Sequence, residues 1–161
     1  MPSVRLVNIT KRYGEITAVQ IVDLGIEDEE YVCVIGPSGC GKTTLIKCIA
    51  GITEPSEGEV YIDGKLMNNV PIQDRGIGYV FQEIALFPHM DVYENVSYGP
   101  TVKGWGPSET RSLVEEMLSM MALGGRVRDL PSVLSGGAQQ KTAIARALAS
   151  GSLLLLLDEP L

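Results

Sequence analysis

A glycine-rich stretch, Gly36-Pro37-Ser38-Gly39-Cys40-Gly41-Lys42-Thr43, narrows sharply what this chain can be. It matches the pattern G-x-x-x-x-G-K-[ST] and lies between an apolar run at 31–35, which predicts a buried strand, and a helical pattern at 42–50. Glycines let the backbone approach phosphate groups closely, and a helix amino terminus adds a partial positive charge. Lys42 then supplies a charge for the β- and γ-phosphates, and the Thr43 hydroxyl a magnesium ligand. The stretch therefore predicts a phosphate-binding loop.

Two carboxylates follow the apolar run Leu153–Leu157, which predicts a second fully buried strand. Because a strand is stiff, we expect it to hold Asp158 and Glu159 beside the phosphate loop. Asp158 is then suited to the magnesium shell, and Glu159 to accepting a proton from an attacking water.

The segment Leu134-Ser135-Gly136-Gly137 begins another helical pattern, predicted over 138–150. A serine and two glycines at a helix start offer N–H groups and a hydroxyl to an anion. The same residues taken alone also describe an ordinary helix cap, so both interpretations stay open at this point.

The remaining pattern predicts strands that alternate with helices, which indicates a layered α/β fold. A helix capped by Asp91 and Glu94 is expected to end at Gly99-Pro100, and another helix is expected over 108–123. Further strands are predicted over 4–35, with turns at 13–15 and 28–30, and over 59–62 and 76–81, with a turn at 63–64.

Composition excludes several classes of protein. The formal charge of -7 opposes a sequence-independent grip on nucleic acid. The longest apolar run is far shorter than a membrane-spanning helix, and the amino terminus lacks the apolar centre of a signal peptide, so we expect a cytoplasmic protein. Cys33, Cys40 and Cys48 have neither the number of a disulfide framework nor the spacing of a zinc site.

Four segments together resemble, in order and spacing, the nucleotide-binding ATPase subunit of ABC transporters. The resemblance covers essentially the whole chain. The segments are GPSGCGKTT (36–44), GYVFQEIALFPHMDVYENV (78–96), LSGGAQQKTAIARAL (134–148) and LLLLLDEP (153–160).

This resemblance implies an α/β fold: a P-loop NTPase (RecA-like) core with an antiparallel β subdomain and a helical subdomain, the C-terminal part missing. It implies one domain over 1–161, with the core and β subdomain at about 1–90 and 136–161 and the helical subdomain at about 91–135. Members of the family continue beyond the position of Leu161, so we expect a truncated chain that is poorly stable by itself or relies on another chain to complete its sheet, and that is weak or inactive as an ATPase alone.

The resemblance also implies ATP and Mg²⁺ as bound groups and assigns their contacts. Tyr13 corresponds to the residue that stacks on adenine, although a tyrosine covering a turn would look the same. The implied catalytic residues are Lys42, Gln82 and Glu159, and the implied magnesium contacts are Thr43, Gln82 and Asp158. The implied nucleotide contacts are Tyr13, Gly36, Pro37, Ser38, Gly39, Cys40, Gly41, Lys42, Thr43, Thr44, Ser135, Gly136 and Gly137, the last three toward the γ-phosphate on an opposite subunit.

The segment 81–96 looks most like that of importer ATPases. The resemblance therefore implies an ATP-binding and hydrolysing subunit that powers solute import from the cytoplasmic face of the cell membrane. Its implied partners are a second ATPase subunit in a head-to-tail dimer, transmembrane permease subunits and, indirectly, a solute-binding protein, with no nucleic acid. A soluble non-transport ABC-type ATPase acting on ribosomes or DNA, and a non-catalytic nucleotide-binding remnant, remain as alternatives.

Overall fold

A computed structural model describes residues 2–159 of the chain. Met1, Pro160 and Leu161 lie outside the described residues, and with them the proline of the last motif. The chain divides into two compact units, 1–77 and 78–161.

The first unit contains a four-stranded antiparallel sheet. Its strands are β1 (Val4–Tyr13), β2 (Ile16–Ile26), β3 (Glu57–Ile62) and β4 (Lys65–Leu66), and their order in the sheet is β2-β1-β3-β4. The predicted turns are confirmed: Gly14 joins β1 to β2, and Asp63 and Gly64 join β3 to β4, all three with positive φ. The other elements of this unit are α1 (Lys42–Ala50) and a 3₁₀ turn (Ile72–Asp74).

Helix α1 begins at Lys42, within the glycine-rich stretch, and it begins and ends where the sequence predicts. Gly51 follows it with φ 79° and donates its N–H to Cys48 O, the left-handed cap that glycine provides without strain. Leu45, Cys48 and Ile49 are buried on one side of the helix. These buried side chains anchor α1, and the phosphate loop lies at the amino-terminal end of the helix.

The apolar run at 31–35 does not form the buried strand that its composition predicts. It has no regular secondary structure, and Tyr31 and Ile35 are 86% and 88% exposed. A strand needs a neighbour to pair its backbone N–H and C=O groups, and no strand within residues 2–159 pairs with this run. The prediction was therefore wrong in this structure, because apolar composition alone does not supply a pairing partner.

The second unit contains a two-stranded sheet and three helices. The strand Leu154–Leu157 is only half-buried, so the prediction of a fully buried strand was wrong. In the described part of the chain it pairs with one neighbour, the strand β5 (Ile77–Val80). The elements are β5 (Ile77–Val80), α2 (Val92–Val102), α3 (Pro107–Met120), α4 (Gly136–Ala149), β6 (Leu154–Leu157) and 3₁₀ turns at Gly124–Arg126 and Pro131–Val133.

The three helices share an apolar core, to which each contributes small or branched side chains. The most buried members that the helices contribute are Val92, Val96, Val114, Leu118, Ala145 and Ala149. The predicted capping box is confirmed, since Asp91 accepts from Glu94 N and Glu94 accepts from Asp91 N, both at 2.8 Å.

Helix α2 continues to Val102 instead of ending at Gly99-Pro100 as predicted. A proline removes a single N–H donor, and the next turn is held by other bonds. Thr101 Oγ1 donates to Ser97 O at 2.8 Å, and Lys103 Nζ donates to Ser150 O, after the end of α4, at 2.6 Å. Side-chain bonds of this kind are invisible to a proline-based rule.

None of the helices in the described range 2–159 is both long enough and apolar enough to cross a membrane.

Candidate phosphate-binding and catalytic residues

The glycine-rich loop is folded around the ammonium group of Lys42. Its Nζ donates to Gly36 O at 2.8 Å and to Pro37 O at 2.9 Å, and lies 3.9 Å from the sulfur of Cys40. The lysine is half-buried, whereas Pro37 and Cys40 are exposed. The Lys42 ammonium therefore places a positive charge at the centre of the loop, next to the amino-terminal end of α1.

Two glycines of this loop have backbone angles that side chains disfavour. Gly39 and Gly41 have φ of 79° and 97°. A Cβ on Gly41 would lie 2.2 Å from Ala18 O and 3.2 Å from a methyl group of Val19, so β2 packs directly against the loop. Only glycine fits at position 41.

The amino terminus of α1 is open to an anion. In the described chain no side chain caps it, and its first turn carries no acidic residue. Its first N–H groups and the macrodipole therefore favour a negative group there. The loop chemistry fits a phosphate, as the sequence predicts. Ser38 is exposed, and Thr43 and Thr44 are half-buried on the first turn.

Asp158 follows β6 and is 3% exposed. Its Oδ2 accepts from the hydroxyl of Tyr79 at 3.1 Å, and its N–H donates to Val80 O at 3.0 Å. Burial, the charge of Asp158 and this hydrogen bond all raise the pKa of Tyr79. The tyrosine therefore stays a hydrogen-bond donor to the carboxylate at neutral pH.

Glu159 and Gln82, assigned separately from the sequence, are brought into contact. Gln82 Nε2 donates to Glu159 Oε2 at 2.7 Å, and both residues are exposed. Glu159 has φ 48°, so the chain turns sharply after Asp158 and directs the two carboxylates differently. One is enclosed and bonded to a tyrosine; the other is open to solvent and bonded to an amide.

Ser135 caps α4, and its side chain accepts from Ala138 N at 3.3 Å. Gly136 and Gly137 are exposed, and a Cβ on either would meet no atom within 4 Å. The cap interpretation is therefore confirmed, and the open glycines leave room for a further group. A contact of these residues with phosphate stays a prediction.

Tyr13 ends β1 at the turn before β2 and is 49% exposed. The ammonium of Lys11 lies 5.0 Å from the centre of its ring. The exposed ring is available for stacking, and adenine contact stays a prediction.

No group of three or more His, Cys, Asp or Glu side chains that could hold a metal ion forms within residues 2–159. The proposed magnesium contacts, Thr43, Gln82 and Asp158, offer oxygen atoms, which are the ligands that Mg²⁺ prefers. Thr43 belongs to the first unit and Gln82 and Asp158 to the second, so a magnesium site that the three residues share stays a prediction.

The sequence analysis missed Asn95, which is fully buried on α2. Its Nδ2 donates to the carbonyl oxygens of Phe87, Met90 and Asp91 at 3.2, 2.9 and 3.0 Å, and its Oδ1 accepts from Phe87 N at 2.9 Å. A polar residue between Val92 and Val96 on the apolar side of a helix was the available signal.

The sequence analysis also missed Arg75, which is 7% exposed. Its guanidinium donates to four carbonyl oxygens, and burial lowers its pKa. Two of these carbonyls close α1, so the cation stabilises the helix end opposite the phosphate loop. The four acceptors are those of Cys48, Ile49, Met67 and Val70, at 2.5–3.4 Å.

Comparisons with known proteins identify the family to which the chain belongs. The family model described as ABC transporter matches residues 19–161. The chain is 49% identical to the spermidine/putrescine import ATP-binding protein PotA of Rubrobacter xylanophilus, over 99% of this chain and 42% of that protein. It is 46% identical to the Fe(3+) ions import ATP-binding protein FbpC of Brucella abortus, over 99% and 45%.

Among solved structures, the chain resembles the ATP-binding cassette MJ0796 in a dimeric, post-hydrolysis state bound to ADP and Pi. The TM-score is 0.87 at 38% identity, and the match covers 98% of this chain and 74% of that one. The fold class expected from the sequence is thereby confirmed. The chain spans less than half the length of the two curated relatives.

Proposed function

Because the chain belongs to the ABC transporter family, we propose that it is the ATP-binding and hydrolysing part of a subunit that powers solute import. The observation that carries the proposal is the Lys42 ammonium, which sits inside a loop of left-handed glycines at an uncapped helix start. That arrangement suits the phosphates of a nucleotide.

In binding, Lys42 exchanges its bonds to Gly36 O and Pro37 O for bonds to phosphate oxygens, while the loop N–H groups surround the same phosphates. The remaining residues proposed to contact nucleotide are Tyr13, Ser38, Gly39, Cys40, Gly41 and Thr44. Thr43, Gln82 and Asp158 would hold magnesium, which would supply positive charge against the phosphate oxygens. Tyr79 keeps Asp158 oriented through its hydrogen bond.

In hydrolysis, Glu159 accepts a proton from the attacking water and Gln82 orients that water and the carboxylate. The 2.7 Å bond between their side chains supports this assignment, because a base must be held in a defined position to act on one water. The exposure of Glu159 keeps the carboxylate accessible to solvent.

The relatives support the proposed partners. MJ0796 forms a dimer, and PotA and FbpC are import ATP-binding proteins. We propose a head-to-tail dimer in which Ser135, Gly136 and Gly137 contact the γ-phosphate bound to the opposite subunit. We further propose permease subunits, served by a solute-binding protein, as the membrane partners, with this chain on the inner face of the membrane.

The test is a calorimetric titration of the purified protein with Mg-ATP, Mg-ADP and AMP. We expect ATP and ADP to bind and AMP to bind at least about tenfold more weakly, because AMP lacks the phosphates that Lys42 contacts. Equal affinity for all three would contradict the phosphate assignment.

The transport assignment needs a separate measurement. The tagged protein is purified from detergent-solubilised membranes and, in parallel, from ribosomal fractions. Recovery with transmembrane subunits is expected, and recovery with ribosomes would favour the soluble ATPase instead. Nucleotide binding without hydrolysis in the membrane-bound assembly would favour the non-catalytic remnant.

A further inference from the structure

The ten residues 81–90, here called the linker loop, join β5 to α2 without regular secondary structure. The loop begins next to a residue with a proposed catalytic role, since Gln82 is its second residue. An irregular segment needs side-chain partners for its backbone groups if it is to hold one conformation. The partners of the linker loop therefore decide where Gln82 is held.

The far half of the linker loop is held by Asn95, which bonds Phe87 and Met90 as described above. That residue belongs to α2 and reaches no nearer to Gln82 than Phe87, five residues along the chain. The near half needs a different partner.

Arg146, in the last turn of α4, meets the near half. Its Nη2 donates to Ala85 O at 2.7 Å, and its guanidinium carbon lies 5.0 Å from the centre of the Phe87 ring. Phe87 also packs on Tyr98 of α2, with ring centres 4.6 Å apart. The planar cation thus binds a carbonyl with its edge and an aromatic ring with its face.

The site of Arg146 is costly for a charge. Burial lowers the pKa of its guanidinium, and no opposite charge is among the contacts just described. The contacts with the Ala85 carbonyl and the Phe87 ring therefore stabilise the buried charge. Ala85 lies three residues from Gln82, a span of at most about 11 Å of extended chain.

We propose that Arg146 is a positioning residue for Gln82: by fixing Ala85 and Phe87 to the end of α4, it keeps the Gln82 amide within reach of Glu159. This inference rests on the proposed catalytic roles of Gln82 and Glu159. It adds a residue, on a different helix, on which their contact depends.

The first test needs no nucleotide. Amide hydrogen exchange is compared in the wild type, in Arg146→Met, which keeps much of the apolar contact but no donor, and in Arg146→Lys, which keeps a donor. The matched control is Arg111→Met, because Arg111 is an exposed arginine on α3 paired with Glu115 at 2.8 Å. We expect clearly faster exchange confined to the linker loop in Arg146→Met, a smaller increase in the same loop in Arg146→Lys, and no change in Arg111→Met.

Unchanged exchange in Arg146→Met would overturn the proposal. Faster exchange throughout 78–159 would overturn it as well, because it would make Arg146 a residue of general stability. If Arg146→Met fails to fold, the exchange of Arg146→Lys decides: it must be faster than in the wild type in the linker loop alone.

The second test is a double-mutant cycle with Gln82→Ala on ATP hydrolysis, measured in the membrane-bound assembly of the full protein. We expect Arg146→Met to lower kcat about tenfold or more with little change in KM, because a misplaced group costs rate rather than binding. In the Gln82→Ala background the same change should cost almost nothing. Losses that multiply would overturn the proposal.

The two claims fail in different ways. If Gln82→Ala leaves hydrolysis unchanged, the proposed catalytic role of Gln82 is wrong. If Gln82→Ala slows hydrolysis but Arg146→Met leaves hydrogen exchange in the linker loop unchanged, only the positioning role of Arg146 is wrong.

Discussion

The side-chain amide of Gln82 donates a 2.7 Å hydrogen bond to the carboxylate of Glu159, although 77 residues of chain separate them. Neighbouring Asp158 is enclosed and accepts from Tyr79 instead. The two adjacent carboxylates thus have different surroundings. This difference supports different proposed roles, metal binding for Asp158 and proton acceptance for Glu159.

Glu159→Gln should abolish the base while keeping the contact with Gln82, since the new amide oxygen can still accept a hydrogen bond. We expect ATP hydrolysis by the membrane-bound assembly to fall by about a hundredfold or more, with nucleotide affinity nearly unchanged. Phosphate release and calorimetric titration measure the two quantities. Glu83→Gln, at an exposed acid one residue after Gln82, is the control and should keep its rate. Equal rates in the wild type and Glu159→Gln would refute the assigned base.

Lys42→Met should weaken nucleotide binding, because the ammonium provides charge-assisted bonds to phosphate worth about 1.5–3 kcal/mol, or about 10–100-fold in affinity. Lys47→Met, near the other end of the same helix, is the matched control with the same loss of charge. Thermal shift with and without Mg-ATP follows both variants. A loss of affinity as large in Lys47→Met would mean that net charge, not the loop, governs binding.

Nucleotide should protect Cys40 from alkylation, because its sulfur lies 3.9 Å from the Lys42 ammonium inside the phosphate loop. Cys33 is also exposed and serves as the internal control, whose labelling should not change. Cys48 should react slowly throughout, since it is buried and burial raises the pKa of its thiol, which leaves less thiolate at neutral pH. Mass spectrometry of labelled peptides reports all three, and equal labelling of Cys40 with and without ATP would contradict the binding site.

Gly51→Ala should destabilise the chain more than Gly64→Ala, although both glycines are left-handed, with φ of 79° and 70°. The left-handed backbone costs about 1–2 kcal/mol in either variant. A Cβ at position 51 would also lie 2.4 Å from the guanidinium carbon of Arg75, whereas one at position 64 meets nothing within 4 Å. We therefore expect an additional loss of about 1–3 kcal/mol for Gly51→Ala.

Urea unfolding of the two glycine variants measures this difference directly. Equal losses would show that Arg75 moves aside and that its carbonyl bonds do not hold it firmly.

Tyr79→Phe should change how stability depends on alkaline pH. The pKa of Tyr79 is raised in the folded protein, so its contribution is fully present below about pH 10, the pKa of an unfolded tyrosine, and is lost as pH rises further. We expect the wild type to lose stability between about pH 10 and 12 more steeply than Tyr79→Phe. At pH 8 the variant should be about 1 kcal/mol less stable, because the hydrogen bond to Asp158 is missing. Parallel curves for the two proteins would argue against that bond.

Local signals predicted local structure well. Gly51 marked the end of α1, Asp63-Gly64 marked a turn, and the spacing of Asp91 and Glu94 marked a capping box. Each depends on backbone angles or bonds within a few residues, so the sequence contains all of the information needed. The rule that ended a helix at Pro100 failed because the bonds of Thr101 and Lys103 hold the helix for two further residues.

Tertiary contacts that reach across the sequence were beyond such rules. The bonds of Arg75 to carbonyls of α1 and of Arg146 to Ala85 leave no trace in spacing or periodicity, because a carbonyl acceptor is present on every residue. At 31–35 the prediction was wrong in the opposite sense, because it gave a buried strand that the structure does not contain. Apolar composition predicts burial, but a buried strand also needs neighbouring strands, which composition does not specify.

By itself, the sequence determined the chemistry available to this protein: a lysine within a glycine loop, two adjacent carboxylates and a capped helix start, each specified by short-range backbone preferences. Only the tertiary structure decided which of these groups meet. It joined Gln82 to Glu159, enclosed Asp158 beside Tyr79 and fixed the linker loop to α4, because hydrogen bonds between distant residues form only where packing brings donor and acceptor within about 3 Å.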